Sequence, residues 1–190
     1  MQAEIHKWVG LLWMGFLVLW FSAAFVQKRT VRRESAASRL SYLSVAIAAA
    51  LLMTYHKVGS EFLSRPFVPE TLSYALLGLG LTIAGFAFAI WARVHLGRNW
   101  SGTVTIKKDH ELIQTGPYAL VRHPIYTGAL LALLGTSIVF GETRWLLGFA
   151  LAVLALRLKS LREEQFMTEQ FGAEYADYRR KVKGLVPFVW

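Results

Sequence analysis

The chain has 190 residues, 55% of them hydrophobic, with a formal net charge of +9 and no cysteine. Its apolar residues come in long runs, which excludes an ordinary soluble domain, and the missing cysteine excludes disulfides, thiolate nucleophiles, sulfur-linked lipid and thiolate metal sites. The basic residues flank apolar spans, a placement that fits membrane topology and an anionic lipid surface rather than nucleic acid.

Taken in chain order, Trp8 to Val26 is an uncharged run long enough to cross a bilayer core of roughly 30 Å. Lys28, Arg29, Arg32 and Arg33 follow at once and oppose translocation of the downstream chain, so we read a first transmembrane helix and not a cleaved signal peptide. A second apolar run covers about Leu40 to Tyr55, and a third covers Leu72 to Trp91 beyond the Pro66 and Pro69 turn region. In the third, Gly80 with Ala84 and Gly85 with Ala89 form small-xxx-small pairs suited to close helix approach.

A polar stretch, residues 92–123, precedes two further apolar runs, Ile125 to Phe140 and Trp145 to Leu158, split by Gly141-Glu142-Thr143-Arg144. They read as a tight helical hairpin of only roughly 20 to 24 Å, short of the hydrocarbon thickness. From Lys159 the tail is charged and amphipathic, with Phe166, Phe171, Tyr175, Tyr178 and Val182 at near-helical spacing; it should lie on the membrane surface or cap the hairpin. The expected fold is therefore all-α and polytopic, with about five transmembrane helices, divided into a three-helix membrane region (1–91) and a catalytic region (92–190) holding the hairpin 125–158 and amphipathic C-terminal helices.

Lys and Arg counts set the orientation. Segments 27–39, 92–124 and 157–190 hold five, five and seven, against only Lys7, Lys57, Arg65 and Arg144 elsewhere, which places the N-terminus outside and the C-terminus with the basic segments in the cytoplasm.

Two constellations share that cytoplasmic face. In Arg122-His123-Pro124 the proline starts a helix and drives His123 out of helical geometry, displaying Arg and His on a fixed shoulder; Tyr126 and Gly128 follow. The competing reading is an ordinary positive-inside flank with an interfacial aromatic. In the second constellation, Lys159 and Glu163 share a helix face while Glu164 points about 100° away, an arrangement equally expected of a solvated i,i+4 ion pair. Between them, His110 and Glu111 suit either a polar ligand or a solvated loop. The five histidines lack the i,i+4 spacing of a metal site, so no metal is expected.

The run from Gly116 to Gly128 (GPYALVRHPIYTG), together with Leu161-Arg162-Glu163-Glu164, Leu96-Gly97-Arg98-Asn99-Trp100-Ser101 and the stretch Phe171 to Tyr178, resembles the signature of isoprenylcysteine carboxyl methyltransferases and their phospholipid N-methyltransferase relatives. The resemblance covers about residues 94–188. It implies a membrane-embedded methyltransferase using S-adenosyl-L-methionine and a lipophilic or prenylated acceptor from the bilayer, with S-adenosyl-L-homocysteine as product. Carried over by position, the cofactor pocket would use His110, Glu111, Leu112, Ile113, Tyr118, His123, Pro124, Ile125, Tyr126 and Glu163. Where the family associates an arginine with the acceptor carboxylate, this chain holds Lys159, with Arg157 and Arg162 close by. O-methylation of an isoprenylcysteine-type carboxylate is the expected reaction; amine or phospholipid N-methylation, or a non-catalytic lipid-binding scaffold, are the alternatives. The scaffold would leave His123 and Tyr126 among lipid headgroups, with no enclosed polar cavity.

Overall fold

The computed structural model describes residues 2–23, 28–55, 61–107 and 111–186. Helices α1 (Gln2–Ala23), α2 (Ala36–Thr54), the short α3 (Glu61–Ser64), α4 (Leu72–Leu96), α5 (Pro124–Phe140), α6 (Thr143–Phe171) and α7 (Ala173–Lys181) make the body of the molecule. A two-stranded antiparallel ribbon, β1 (Thr30–Arg33) with β2 (Thr105–Lys107), ties the end of the α1–α2 connection to the α4–α5 connection. The helices α1, α2 and α4 have the length and hydropathy to cross a bilayer, and the shorter α5 is apolar along its length. With the apolar first half of α6 these make a polytopic all-α architecture, as composition predicts.

The expected Gly80/Ala84 contact does not form: Gly80 is exposed and nothing lies where its Cβ would be. The close approach runs instead along Gly78, Thr82, Gly85 and Ala89 of α4 against Gly128, Ala132 and Gly135 of α5. A Cβ on Gly128 would stand 2.6 Å from both Ala89 N and Gly85 O, so the two backbones touch. Buried hydroxyls bond across the same seam: Thr82 Oγ1 lies 3.4 Å from Thr136 Oγ1, and Trp13 Nε1 of α1 donates to Thr136 Oγ1 at 3.0 Å. Inside hydrocarbon such groups need protein partners, and these pairs supply them.

The hairpin differs from expectation in two ways. It is less closed upon itself, because α5 packs chiefly along α4 while α6 packs along α2. Its second arm also does not end near Leu158. Helix α6 continues without a break for 29 residues, about 43 Å, to Phe171. The segment read as a separate surface tail is thus partly the same rod, carrying Lys159, Glu163 and Glu164 beyond its apolar half. The turns at either end of α6 rely on glycine: Gly141 (φ 70°) caps α5, and Gly172 (φ 53°) reverses the chain into α7. Past α7, the chain returns to the start of α5, where Lys183 makes a parallel bridge with Val121.

Candidate active site

His123 caps α5 with φ −123° and ψ 60°, outside helical geometry, and Pro124 occupies the first helical turn, as the Arg-His-Pro order predicts. The returning C-terminal chain holds this shoulder. Arg122 N donates to Lys183 O at 2.8 Å, His123 N to Gly184 O at 3.0 Å, and Thr127 Oγ1 to Leu185 O at 2.6 Å. The motif's backbone and side-chain donors are thereby satisfied by a segment some sixty residues away.

The second half of α6 faces this shoulder. His123 Nε2 lies 3.1 Å from Glu164 Oε1 and Nδ1 lies 3.4 Å from Glu163 Oε2. Arg122 donates to Glu164 through Nη2 at 2.6 Å and Nε at 3.2 Å, and Tyr126 donates its hydroxyl to Glu163. The Tyr126 ring stacks parallel to the imidazole, with centroids 5.5 Å apart. Burial by itself would lower the His123 pKa, but hydrogen bonds to the two carboxylates outweigh it and raise it above its ordinary value. Burial would raise Glu164; hydrogen bonds from His123 and Arg122 reverse that and bring it to about 2. Glu163 is also lowered, against its burial, by His123 and by the nearby Lys159 charge. The arrangement favours the protonated form of an imidazole set between two carboxylates.

Around this core lies a cavity with about 210 Å³ of space for water-sized molecules. Its walls include Glu111, Leu112, Ile113, Tyr118, His123, Ile125, Tyr126, Lys159 and Glu163 from the sequence-derived set. Pro124 is fully buried in the helix start and shapes the wall without lining it. His110 lies outside the described residues. Of the three candidate acceptor cations, Lys159 faces the cavity, whereas Arg162 is exposed beside Gln165 and Arg157 is not among the lining residues. No Lys159–Glu163 ion pair forms. The Lys159 amine instead donates to Gly102 O at 2.9 Å.

Several lining residues carried no assignment from sequence. Asn99 and Thr105 come from the polar stretch, Trp20 from α1, Met167 from the second half of α6, and Tyr175 and Tyr178 from α7. Tyr178 donates to Tyr118 O at 2.6 Å, closing the wall between α7 and the GPY turn. Burial pushes the Tyr118, Tyr175 and Tyr178 phenols well above their usual range, so they are neutral phenols and not bases. Asn99 Oδ1 and Thr105 Oγ1 are buried in this wall without a hydrogen-bond partner among the described residues. Such atoms carry a desolvation cost that a polar ligand would relieve. The motifs Leu96 to Ser101 and Phe171 to Tyr178, which hold Asn99 and the α7 tyrosines, are the sequence signals for this wall; Thr105 is brought in by folding alone.

The phospholipid methyltransferase family model matches residues 73–174, which hold the hairpin, the Arg-His-Pro shoulder and the Glu163-Glu164 doublet. The chain belongs to this family. A probable protein-S-isoprenylcysteine O-methyltransferase of Oryza sativa subsp. indica is 31% identical over 171 residues, covering 88% of this chain and 87% of that protein. The protein-S-isoprenylcysteine O-methyltransferase of Schizosaccharomyces pombe is 34% identical over 119 residues, covering 61% of this chain and 50% of that protein. Among solved structures, a eukaryotic intramembrane Ras methyltransferase (isoprenylcysteine carboxyl methyltransferase) shares the fold, with a TM-score of 0.53 and 23% identity over 84% of this chain and 55% of that one. The molecule is an integral membrane methyltransferase enzyme, and a methyl donor is implied.

Proposed function

We propose that the enzyme transfers a methyl group from S-adenosyl-L-methionine to the carboxylate of a lipophilic isoprenylcysteine. One observation carries the choice of acceptor: the basic atoms of the buried His123–Glu163–Glu164 cluster are already engaged. Both His123 nitrogens face carboxylates, Glu164 is held by Arg122 and His123, and Glu163 accepts from Tyr126. A protonated amine would have to lose its proton before attack, so N-methylation benefits from an available base. A carboxylate has nothing to deprotonate. It wants a cation nearby, and Lys159 stands on the cavity wall. The names of the rice and fission-yeast relatives support the same acceptor.

The walls suit the donor. Leu112, Ile113, Ile125 and Met167 offer an apolar bed for a flat base, Glu111 and Glu163 offer anionic partners for an ammonium, and Asn99 and Thr105 hold unpaired polar atoms. The Tyr118 and Tyr126 rings suit a sulfonium through their faces. When bound, the cofactor would supply an electrophilic methyl to the acceptor oxygen and would leave as S-adenosylhomocysteine, keeping the electron pair of the broken carbon–sulfur bond. The protein's part is alignment and exclusion of water, not covalent catalysis. His123 and Arg122 fix the carboxylates, and Lys159 holds the acceptor's charge until it is neutralised.

In this reading the cavity faces the cytoplasm and the N-terminus lies outside, as the Lys and Arg distribution supports. The test is calorimetry with S-adenosylhomocysteine in detergent, followed by turnover of an S-prenylcysteine carboxylate and of phosphatidylethanolamine. Wild type should bind the ligand and Glu163→Ala should lose that binding. The prenylated acid, not the phospholipid, should turn over; the reverse preference would reject the acceptor assignment.

A further inference from the structure

Lys159 stands between two tyrosine–carboxylate pairs. Its Nζ lies 5.3 Å from the centroid of Tyr126, which donates to Glu163, and 5.8 Å from the centroid of Tyr42, which donates to Glu34. The first pair belongs to the site already described. The second comes from α2 and the residues just before it, outside the part of the chain that the family model matches, and neither member lines the cavity.

Glu34 is 7% exposed, and a carboxylate so buried needs donors to offset its lost hydration. It has three. Ser38 Oγ donates at 2.9 Å, Val104 N at 3.1 Å, and the Tyr42 hydroxyl completes the set. These donors come from the first two turns of α2 and from the loop entering β2. The same loop supplies Gly102 O, the acceptor for the Lys159 amine at 2.9 Å. Glu34 therefore secures both neighbours that hold the ammonium: the aromatic face beside it and the loop whose carbonyl it bonds.

A lysine has special need of such support. Its charge is a point on a flexible stem, without the planar fork by which arginine sets its own angle to a carboxylate. An ammonium with one N–H tied to a carbonyl and rings on two sides presents its remaining donors in one direction, so less order is lost when an anion binds.

We propose that Glu34 and Tyr42 are positioning residues for the methyl acceptor, acting through Lys159 and the Gly102 loop. This rests on the reading of Lys159 as the cation that meets the acceptor carboxylate. It also gives the start of α2, outside the segment that the family model matches, a role in substrate selection.

The experiment compares full-length wild type with Tyr42→Phe, Glu34→Gln, Lys159→Met and the Tyr42→Phe/Lys159→Met double variant, in detergent, with an N-acylated S-prenylcysteine carboxylate as acceptor. Tyr42→Phe keeps the ring and removes the tether. It and Glu34→Gln should each raise acceptor KM about 3- to 10-fold while kcat and the KM for S-adenosylmethionine change less than about 2-fold. Lys159→Met should raise acceptor KM further, and adding Tyr42→Phe to it should change nothing more. A Lys159→Met enzyme with unaltered acceptor KM overturns the assignment of Lys159 and this inference with it. If Lys159→Met raises acceptor KM but Tyr42→Phe and Glu34→Gln do not, the positioning role alone is overturned. Equal rises in both KM values, or a lowered Tm with wild-type kinetics, would mark the pair as merely structural and overturn it as well.

Discussion

His123 Nε2 lies 3.1 Å from Glu164 Oε1 while its Nδ1 lies 3.4 Å from Glu163 Oε2, so one imidazole joins two consecutive carboxylates. Consecutive helical residues diverge by about 100° and do not normally share a partner. A flat ring with donors at two corners spans that divergence, provided both nitrogens carry protons. The Arg-His-Pro shoulder and the acidic doublet are thus a single electrostatic unit, closed from outside by Arg122.

The Arg122–Glu164 pair is buried, with side-chain exposures of 9% and 5%. Removing one partner of such a pair leaves an uncompensated charge and typically costs about 3 to 5 kcal/mol. Arg122→Met is expected to destabilise by up to that amount in denaturant unfolding in mixed micelles, because His123 and Arg179 still face Glu164 and compensate part of its charge. Arg122→Met with Glu164→Leu should cost less than the sum of the single changes. Strict additivity would mean that the two groups do not act as a pair.

The direction of each pKa shift gives a pH dependence with a definite sign. His123 is raised on folding, so its contribution is complete below its unfolded value of about 6.5 and is lost as pH climbs through the higher folded value. Glu164 is lowered to about 2, so its contribution is present above its unfolded value and fades as pH falls toward that number. The Tm difference between wild type and His123→Asn should be widest between about pH 5 and 6.5 and should narrow in alkaline buffer. A gap that grows with rising pH would contradict an imidazolium at this position.

Thr105 Oγ1 is buried against the cavity without a partner among the described residues. Thr105→Val deletes the hydroxyl at nearly constant shape. The ligand-free protein should keep its Tm or gain slightly, since an unsatisfied group costs about 1 to 3 kcal/mol. S-adenosylhomocysteine affinity should fall about 5- to 150-fold, the same energy read at the bound state. Isothermal titration alongside thermal unfolding separates the two effects, and unchanged affinity would remove Thr105 from the site.

Two glycines of the apolar helices should respond oppositely to alanine. At Gly128 the new Cβ would meet Ala89 N and Gly85 O at 2.6 Å, and backbone cannot step aside cheaply. Gly128→Ala should destabilise by about 1 to 3 kcal/mol, with a loss of activity because α5 carries His123 at its start. Gly80 has open space where its Cβ would be, and Gly80→Ala should be neutral or stabilising by up to about 1 kcal/mol. Thermal unfolding of the two variants in one detergent decides the matter.

The amino-acid sequence alone determined what is local or periodic. Apolar runs placed α1, α2, α4 and α5; Pro124 placed the start of α5; and Arg122, His123, Tyr126 and Glu163 were legible because short motifs confine them to the start of α5 and to one turn of α6. Periodicity failed at Leu158, where hydropathy stops but the helix does not: α6 runs on to Phe171, held by α2 and the Arg122–His123 shoulder. Small-residue spacing named Gly85 and Ala89 correctly and Gly80 wrongly, because which stripe of a uniformly apolar helix meets a neighbour depends on the neighbour. Only the tertiary structure decided that Tyr178 closes on Tyr118, that the chain after α7 holds the His123 backbone, and that Glu34 and Tyr42 stand behind Lys159. Those contacts join segments with no shared period. Their cause is the need of buried hydrogen-bonding groups for partners, and folding meets it with whatever chain lies near.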